Sequence, residues 1–409
     1  MKILIFTEIY DCGGIDTFIS NLINEWPESS DCFHIVSNFN YPGIDVIRSE
    51  VSHEKVTFYA HNVITYPNLW LDNLKLRYAK KIISPVLRYL LIPFQAVLFL
   101  GIFKKAKCDV MIVVNGGYPG GDSCRSAAIA WSFAGHNKKS FHNFHNLVVA
   151  PKWHTFLQER VIDAILVRVT SKFITVSSAA LKSLSLRPWI AGSIESTYIH
   201  NGIKFDQGRY DDSKSNIRFN LEISLDSPIC LMLGTYEPRK GHKFLIEAFK
   251  KVRAKIPNAH LIIAGYGTPA EIDFVKALVV EANLDNCIHL LDFISDIEPL
   301  MNQVSVLLVA SQAYESFGFT SVEAMARKIP VVATAVGGVP EVVENGSGGY
   351  CLNPEDVDGY ASRVIELLRS EALRLEQGSL GYQRFLDNFT AKTMASKYHK
   401  ELSDNCSLK

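Results

Sequence analysis

Closely spaced cysteine pairs are missing from this chain. Its eight cysteines, at 12, 32, 108, 124, 230, 287, 351 and 406, form no Cys-x-x-Cys motif. No metal-type cluster appears, which removes a structural zinc module and a thioredoxin-like redox centre. Such scattered thiols are expected to be mostly buried and reduced, in a reducing compartment. Net charge is missing too, because 42 lysines and arginines balance 42 aspartates and glutamates. A bulk electrostatic partner such as nucleic acid is therefore not expected. There is no internal repeat and no low-complexity tract. No uncharged apolar stretch reaches the roughly 20 residues that a spanning helix needs. The opening apolar residues stop at Glu8. They are too few for a signal peptide and read as a first strand, so the expected location is cytoplasmic.

Apolar sequence, in contrast, is plentiful. Hydrophobic residues make up 48% of the 409 residues and charged residues 21%, a globular composition. Such a length suits two domains. Short apolar runs alternate with helical patterns. Strands are expected at 3–6, 33–37, 110–114, 140–141 and 173–176, then at 229–233, 260–264, 288–291, 304–309 and 331–334. Helices are expected at 15–26, 123–133, 243–255, 270–282, 320–327 and 357–368. Two such runs predict an α/β fold of two doubly wound, parallel-sheet, Rossmann-like domains. The first is expected over 1–203 and the second over 204–385, with the polar stretch 204–227 as linker. In this architecture a ligand sits outside the carboxyl ends of the strands, so the loops there are the places to look for chemistry.

Five such loops stand out. In Ser311-Gln312-Ala313-Tyr314-Glu315-Ser316-Phe317-Gly318-Phe319-Thr320, an apolar run precedes and helix-forming residues follow. Glu315 then falls in a strand-to-helix loop and Glu323 one to two turns into the helix. Amides around Gly318 at that helix start favour a negative group, and the paired carboxylates could hold hydroxyls. Glutamates on a surface helix are the plainer explanation. In Gly234-Thr235-Tyr236-Glu237-Pro238-Arg239-Lys240-Gly241, Arg239 and Lys240 suit a diphosphate, or form a solvated basic turn. Gly13-Gly14 and Gly337-Gly338 could bring amides to phosphate or hydroxyl groups, or simply make tight turns. His142 and His145 have no carboxylate or cysteine at ligand spacing, so a metal site is not expected there. Either could bind a sugar hydroxyl, and either could be structural.

A sixth segment breaks the alternation. Residues 73–108 hold eight basic residues and no acidic one. A helical wheel puts Arg77, Lys80, Lys81 and Arg88 on one side, and Leu76, Ala79, Ile82, Ile83, Val86, Leu87 and Leu90 on the other. Pro85 and Pro93 are expected to break the helix. The region between Lys75 and Lys107 reads either as an interfacial segment drawn to an anionic membrane surface or as an ordinary domain helix.

Taken together, these motifs resemble glycosyltransferase family four, retaining transferases of the GT-B fold in which two Rossmann-like domains face a cleft. The match spans nearly the whole chain. It rests on Glu315 and Glu323 with seven residues between them, on Ser316-Phe317-Gly318, on Gly234 through Lys240-Gly241, and on the stretch from Val331 to Val343. In the first half it rests on Gly13-Gly14, Val176-Ser177 and His200-Asn201-Gly202-Ile203. The resemblance implies that Lys240, with an arginine, neutralises a leaving diphosphate, that Glu315 holds the donor sugar and that Glu323 holds the ribose. Gly13, Gly14, Gly234, Thr235, Ser316, Phe317, Gly318, Phe319, Gly337 and Gly338 would complete donor binding. The family's histidine near the reacting sugar maps to His145, with His142 as runner-up. Many members carry arginine where this chain has Thr235; Arg239 is the expected substitute.

The implied reaction moves a sugar from a nucleoside-diphosphate sugar to a glycan acceptor. The acceptor is expected to be lipid-linked, in bacterial surface polysaccharide or lipopolysaccharide synthesis at the inner face of the membrane. No cofactor or metal is expected, since no Asp-x-Asp pair sits in a suitable loop. The segment 386–409 is expected to be a helix returning to the first domain. Three other readings stay open: a glycoside hydrolase with two carboxylates across one bond, a nucleotide-sugar epimerase of similar fold, and a non-catalytic nucleotide-sugar binder.

Overall fold

The computed structural model describes residues 1–65, 77–136, 140–205, 217–294 and 296–407. Residues 206–216 of the linker stretch 204–227 lie outside them, as do Lys75 and Leu76. By internal contacts the chain divides into two units. Unit 1 is Met1–Gly202 with Ala391–Lys409, and unit 2 is Ile203–Thr390.

Unit 1 is built on a seven-stranded sheet of β1 (Lys2–Thr7), β2 (Cys32–Asn38), β3 (Val56–His61), β4 (Val110–Asn115), β5 (Ser140–Phe144), β6 (Thr170–Thr175) and β7 (Glu195–Tyr198), ordered β3-β2-β1-β4-β5-β6-β7. All pairings are parallel. The central strands are apolar on both faces, as a sheet covered by helices on both sides requires. Ile3 and Ile5 of β1 enter one core with Phe18, Ile19, Tyr398 and Leu402. Leu4 and Phe6, pointing the other way, enter a second with Phe99, Phe103 and Trp131.

The helix Ala391–Ser407 is part of the first of these cores. Met394, Ala395, Tyr398 and Leu402 are buried in it. The Asn143 side-chain amide donates to the Tyr398 hydroxyl at 2.7 Å, and Lys172 pairs with Glu401 at 2.6 Å. The preceding helix, Glu371–Asn388, stays in unit 2, which therefore runs on to Thr390 rather than stopping at 385. Its Gln377 is buried and lies against Gly348, and Arg384 donates to the Val342 carbonyl, so it belongs to that sheet's cover.

The segment 73–108 departs from expectation in two ways. The helix Arg77–Ala106 runs through Pro85 and Pro93 without a break. Packing supplies the reason: Ile92, Ala96, Phe99 and Phe103 are buried, and Gln95 bonds to the Ile64 carbonyl and to Ser126. Arg88 does not join a solvated basic face. Its Nε lies 2.5 Å from the buried Asp122 carboxylate, which needs a cation there. Leu90, on the expected apolar side, is 63% exposed. Because the helix is continuous, Leu87–Ala106 is long and apolar enough to cross a membrane by length and composition alone. It contains Arg88, Lys104 and Lys105, so the expectation that no uncharged stretch reaches that length stands. The side chains of Arg77, Lys80 and Lys81 lie outside the description.

Unit 2 has a six-stranded parallel sheet of β8 (Ile229–Leu233), β9 (His260–Ala264), β10 (Ile288–Leu291), β11 (Val306–Val309), β12 (Val331–Thr334) and β13 (Gly349–Leu352), ordered β10-β9-β8-β11-β12-β13. Helices His242–Lys255 and Val357–Arg369 cover one face around Phe249, Val252, Tyr360 and Leu367. The seven described free cysteines include four buried ones, Cys108, Cys124, Cys230 and Cys287; Cys12 is exposed.

Candidate active site

The order of the unit 2 sheet reverses between β8 and β11, and the loops leaving those two strands meet. Such a switch point is where doubly wound sheets bind ligands. Arg239 and Lys240 lie in the single turn Pro238–Lys240 after β8. Lys240 Nζ reaches Glu315 Oε2 at 2.5 Å, and the Ser311 hydroxyl donates to the same oxygen at 3.2 Å. Arg239 Nη1 stands 3.8 Å from that oxygen, with its Nε on Glu237 at 2.5 Å and its guanidinium over the Tyr314 ring. Two cations thus flank one carboxylate. Lys240 and Glu315 are each 16% exposed, so the cluster is shielded but reachable.

Glycine permits this convergence. Gly241 has φ +77°, and a Cβ there would stand 1.9 Å from the Ala310 carbonyl oxygen. Gly337, at φ +55°, would meet the Glu315 carbonyl oxygen at 2.0 Å. The next amide, Gly338 N–H, donates to that carbonyl at 2.8 Å. Loops after β8, β11 and β12 are therefore in backbone contact, and only glycine fits at both crossings. Gly234 lies beside the Lys240 stem. The Thr235 hydroxyl is buried with no hydrogen-bond partner among the described residues.

Around the helix Phe319–Ala326, Gly318 is the N-cap, at φ 97°. The Phe317 ring is 2% exposed and packs on Phe319 and Phe389. Any donor contact at Phe317 must then come from its main chain. Glu323 lies in the helix, and burial pushes its carboxyl up to about 7, with Arg327 opposing the rise and Glu298 adding to it. The folded chain holds this proton more tightly than the unfolded chain, so stability falls as pH rises from 4.5 through about 7. Glu323→Gln is expected to be more stable than wild type at pH 8 by up to ~3 kcal/mol, with little difference at pH 4.5. Urea unfolding at the two pH values checks this. Equal differences at both would mean the carboxylate is well solvated.

In unit 1 the helix that follows the glycine turn meets His145. The helix Gly14–Asn24 starts at Gly14, and Phe18 one turn on packs edge-to-face on the His145 ring at 4.3 Å. The Gly13 amide donates to Asp16 Oδ2 at 2.8 Å, so it is not a free phosphate donor as the sequence suggested. His145 lies just past β5, its Nε2 sharing a 2.5 Å hydrogen bond with Asn143 Oδ1 while Nδ1 is buried without a hydrogen-bond partner among the described residues. Burial pushes its imidazole down to about 3, so the ring is neutral at physiological pH. His142 sits in mid-strand at 1% exposure against Phe144 and Phe173.

Residues 213–384 match the family model for glycosyl transferases group 1. Over that segment the chain is similar to group 1 glycosyl transferases. The matched segment contains Arg239, Lys240, Glu315, Glu323, Gly337 and Gly338. A capsular polysaccharide biosynthesis glycosyltransferase, CapM of Staphylococcus aureus, is 28% identical over 193 residues, 47% of this chain and 50% of that one. The chain spans about half the length of the curated relatives it matches. A glycosyltransferase from Rickettsia africae superposes with TM-score 0.78 at 20% identity, covering 100% of this chain and 99% of that one. HepE of Anabaena in complex with UDP gives TM-score 0.73 at 20% identity over 99% and 100%. At that identity the likeness concerns fold, and the fold is GT-B.

Outside the matched segment, one residue escaped the sequence reading. Glu8 follows β1 at the reversal point of the unit 1 sheet, next to β4. It is 6% exposed, accepts from the Ser123 amide at 2.7 Å and from the Tyr10 hydroxyl at 3.0 Å, and burial raises its carboxyl. Its signal was an acidic residue directly after the first apolar run.

Proposed function

We propose that this chain is a retaining glycosyltransferase. It takes a sugar from a nucleoside-diphosphate donor and passes it to a hydroxyl of a glycan acceptor, lipid-linked, in bacterial surface polysaccharide synthesis. The observation that carries this reading is the convergence of Lys240 and Arg239 on Glu315 at the β8/β11 switch point. The capsular relative and the UDP-bound neighbour support the polysaccharide and nucleotide parts. As the bond from the anomeric carbon to the diphosphate oxygen breaks, negative charge grows on the leaving group. Fixed cations there stabilise it, and Lys240 and Arg239 take that role without a metal. The acceptor oxygen bonds to the anomeric carbon from the same face, and its proton passes to the departing phosphate oxygen. Glu315 orients the donor sugar, Glu323 the ribose. Incubation with a panel of UDP- and GDP-sugars and glycan acceptors, followed by mass spectrometry and anomeric analysis of the product, tests the reading. Interconversion of donors without acceptor, or binding without transfer, would replace it with an epimerase or a binder.

The same reading places the protein in the cytoplasm at the inner face of the membrane. Leu90, Phe94, Val97 and Leu98 are exposed on the helix Arg77–Ala106, and Lys104 and Lys105 follow on it. Exposed apolar side chains beside lysines suit an anionic lipid surface. The chain is expected to float with anionic liposomes and not with neutral ones, and Phe94→Glu/Val97→Glu to abolish flotation. Full activity without any liposome binding would remove this part.

A further inference from the structure

Adjacent residues of one loop hold adjacent cations of another in two different ways. After β11, Glu315 meets Lys240 through its carboxylate at 2.5 Å. Its neighbour Tyr314 meets Arg239 through its ring, with the guanidinium carbon 5.1 Å from the ring centroid. The main chain fixes this register. The Gln312 amide donates to the Arg239 carbonyl at 2.8 Å, and Gly241 lets the turn press on the Ala310 carbonyl. Core packing does not explain the Tyr314 ring, which is 36% exposed.

The two holds differ in what they leave over. A carboxylate that pairs with a cation offsets its charge. A π face attracts a guanidinium without adding a full negative charge, and stacking leaves the in-plane N–H donors free for a ligand. Glu237 also meets Arg239, at Nε, but it is 42% exposed, so water screens that pair. Without the ring, Arg239 keeps this screened pair inside its own turn and a 3.8 Å approach to Glu315, longer than a hydrogen bond. Neither contact holds a long, flexible side chain in one geometry.

Resting on the nucleoside-diphosphate reading above, we propose that Tyr314 is a positioning residue whose ring holds the Arg239 guanidinium at the diphosphate site. The charge of Arg239 stays available to the leaving group. Tyr314 acts through Arg239 and makes no contact of its own with the diphosphate.

A double-mutant cycle on the full chain tests this. It is read by calorimetric titration with UDP, GDP and inorganic pyrophosphate, and by kcat and KM with the active donor. Tyr314→Leu is expected to weaken pyrophosphate and nucleotide binding alike, by roughly 3- to 10-fold, and to lower kcat by a similar factor. In the Arg239→Ala background the same change is expected to have no further effect on binding or kcat. Tyr314→Phe, which keeps the ring, is expected to match wild type. Losses in Tyr314→Leu that persist in full without Arg239 would overturn the inference, because the ring would then touch the ligand or brace the loop by itself. A loss in Tyr314→Phe equal to that in Tyr314→Leu would also overturn it, by placing the effect in the hydroxyl. Coupled binding losses in a chain that transfers no sugar would support the inference and sink the transferase reading. A wild-type chain that binds neither nucleotide nor pyrophosphate would sink both.

Discussion

Lys240→Ala is expected to lower kcat by about 10²–10³-fold, the scale seen when one fixed donor to a developing anion is removed. The ammonium is held at 2.5 Å from Glu315 and is only 16% exposed, so it is preorganised. Water that enters the vacated space would have to reorganise as charge develops, and that reorganisation is what the fixed cation avoids. Removing Lys240 has a second consequence. Among the described residues Glu315 keeps only Arg239, at 3.8 Å, as a cationic neighbour. Its carboxylate would then repel the diphosphate it adjoins, so donor affinity should fall along with kcat. Glu315→Gln in the Lys240→Ala background separates the two effects. It should restore part of the donor affinity by removing the repulsion, and none of the turnover. Single-turnover kinetics together with direct nucleotide binding measure both. Turnover near wild type in Lys240→Ala with donor binding intact would rule out the phosphate assignment.

The elements that sequence reading recovered share a physical property. Strands at 229–233, 260–264, 288–291 and 331–334 coincide with β8, β9, β10 and β12. All are mainly apolar; β12 is buried throughout, β8 and β9 at all but one residue each, while β10, an edge strand, is fully buried only at Ile288. The missed strands are β3, β7 and β13, and each is an edge of its sheet. An edge strand has one neighbour and partial solvent exposure, so Val56–His61 and Glu195–Tyr198 carry mixed polarity and no apolar run. The long helix Arg77–Ala106 was misread for a different reason. Proline cost and helical-wheel position are local quantities, whereas Asp122 and the Phe99–Phe103 core act from elsewhere in the chain.

The site was legible to the same extent and for related reasons. Glycines and cations at strand ends mark a loop as special, which singled out Arg239, Lys240, Glu315 and Gly337 separately. That Gly337 presses on the Glu315 carbonyl and Gly241 on Ala310 is a distance between segments far apart in sequence. Nothing in the chain's linear order states it. Glu8 escaped because a single residue after a strand looks like an ordinary loop residue until the sheet order is known.

The largest expected loss of stability belongs to unit 1. Arg187→Met should cost about 3–5 kcal/mol at pH 8, the usual cost of breaking one side of a buried ion cluster. Arg88, Arg125 and Arg187 face Asp122, Glu159 and Asp163 there. Arg187 is 1% exposed, lies 2.5 Å from Glu159 and 3.3 Å from Asp163, and donates from Nε to the Val149 carbonyl at 2.8 Å. Burial disfavours charge on Glu159, yet Arg125, Tyr89 and Arg187 hold its carboxyl down to about 2. Without Arg187, Glu159 keeps Arg125, but Asp163 keeps only the Tyr118 hydroxyl among its named partners. Burial already raises Asp163, with Tyr118 and Arg187 opposing it. Its carboxyl should rise further in the variant and take up a proton as pH falls. The deficit relative to wild type should therefore shrink between pH 8 and pH 5. Asp163→Asn added to Arg187→Met removes the stranded charge and should recover much of the loss even where the single variant folds poorly. Chemical denaturation of the three chains at both pH values reads this out. A pH-independent deficit that Asp163→Asn leaves untouched would mean that Arg187 acts through its packing on Tyr118 and its bond to Val149, which tie down the loops after β4 and β5, and not through charge.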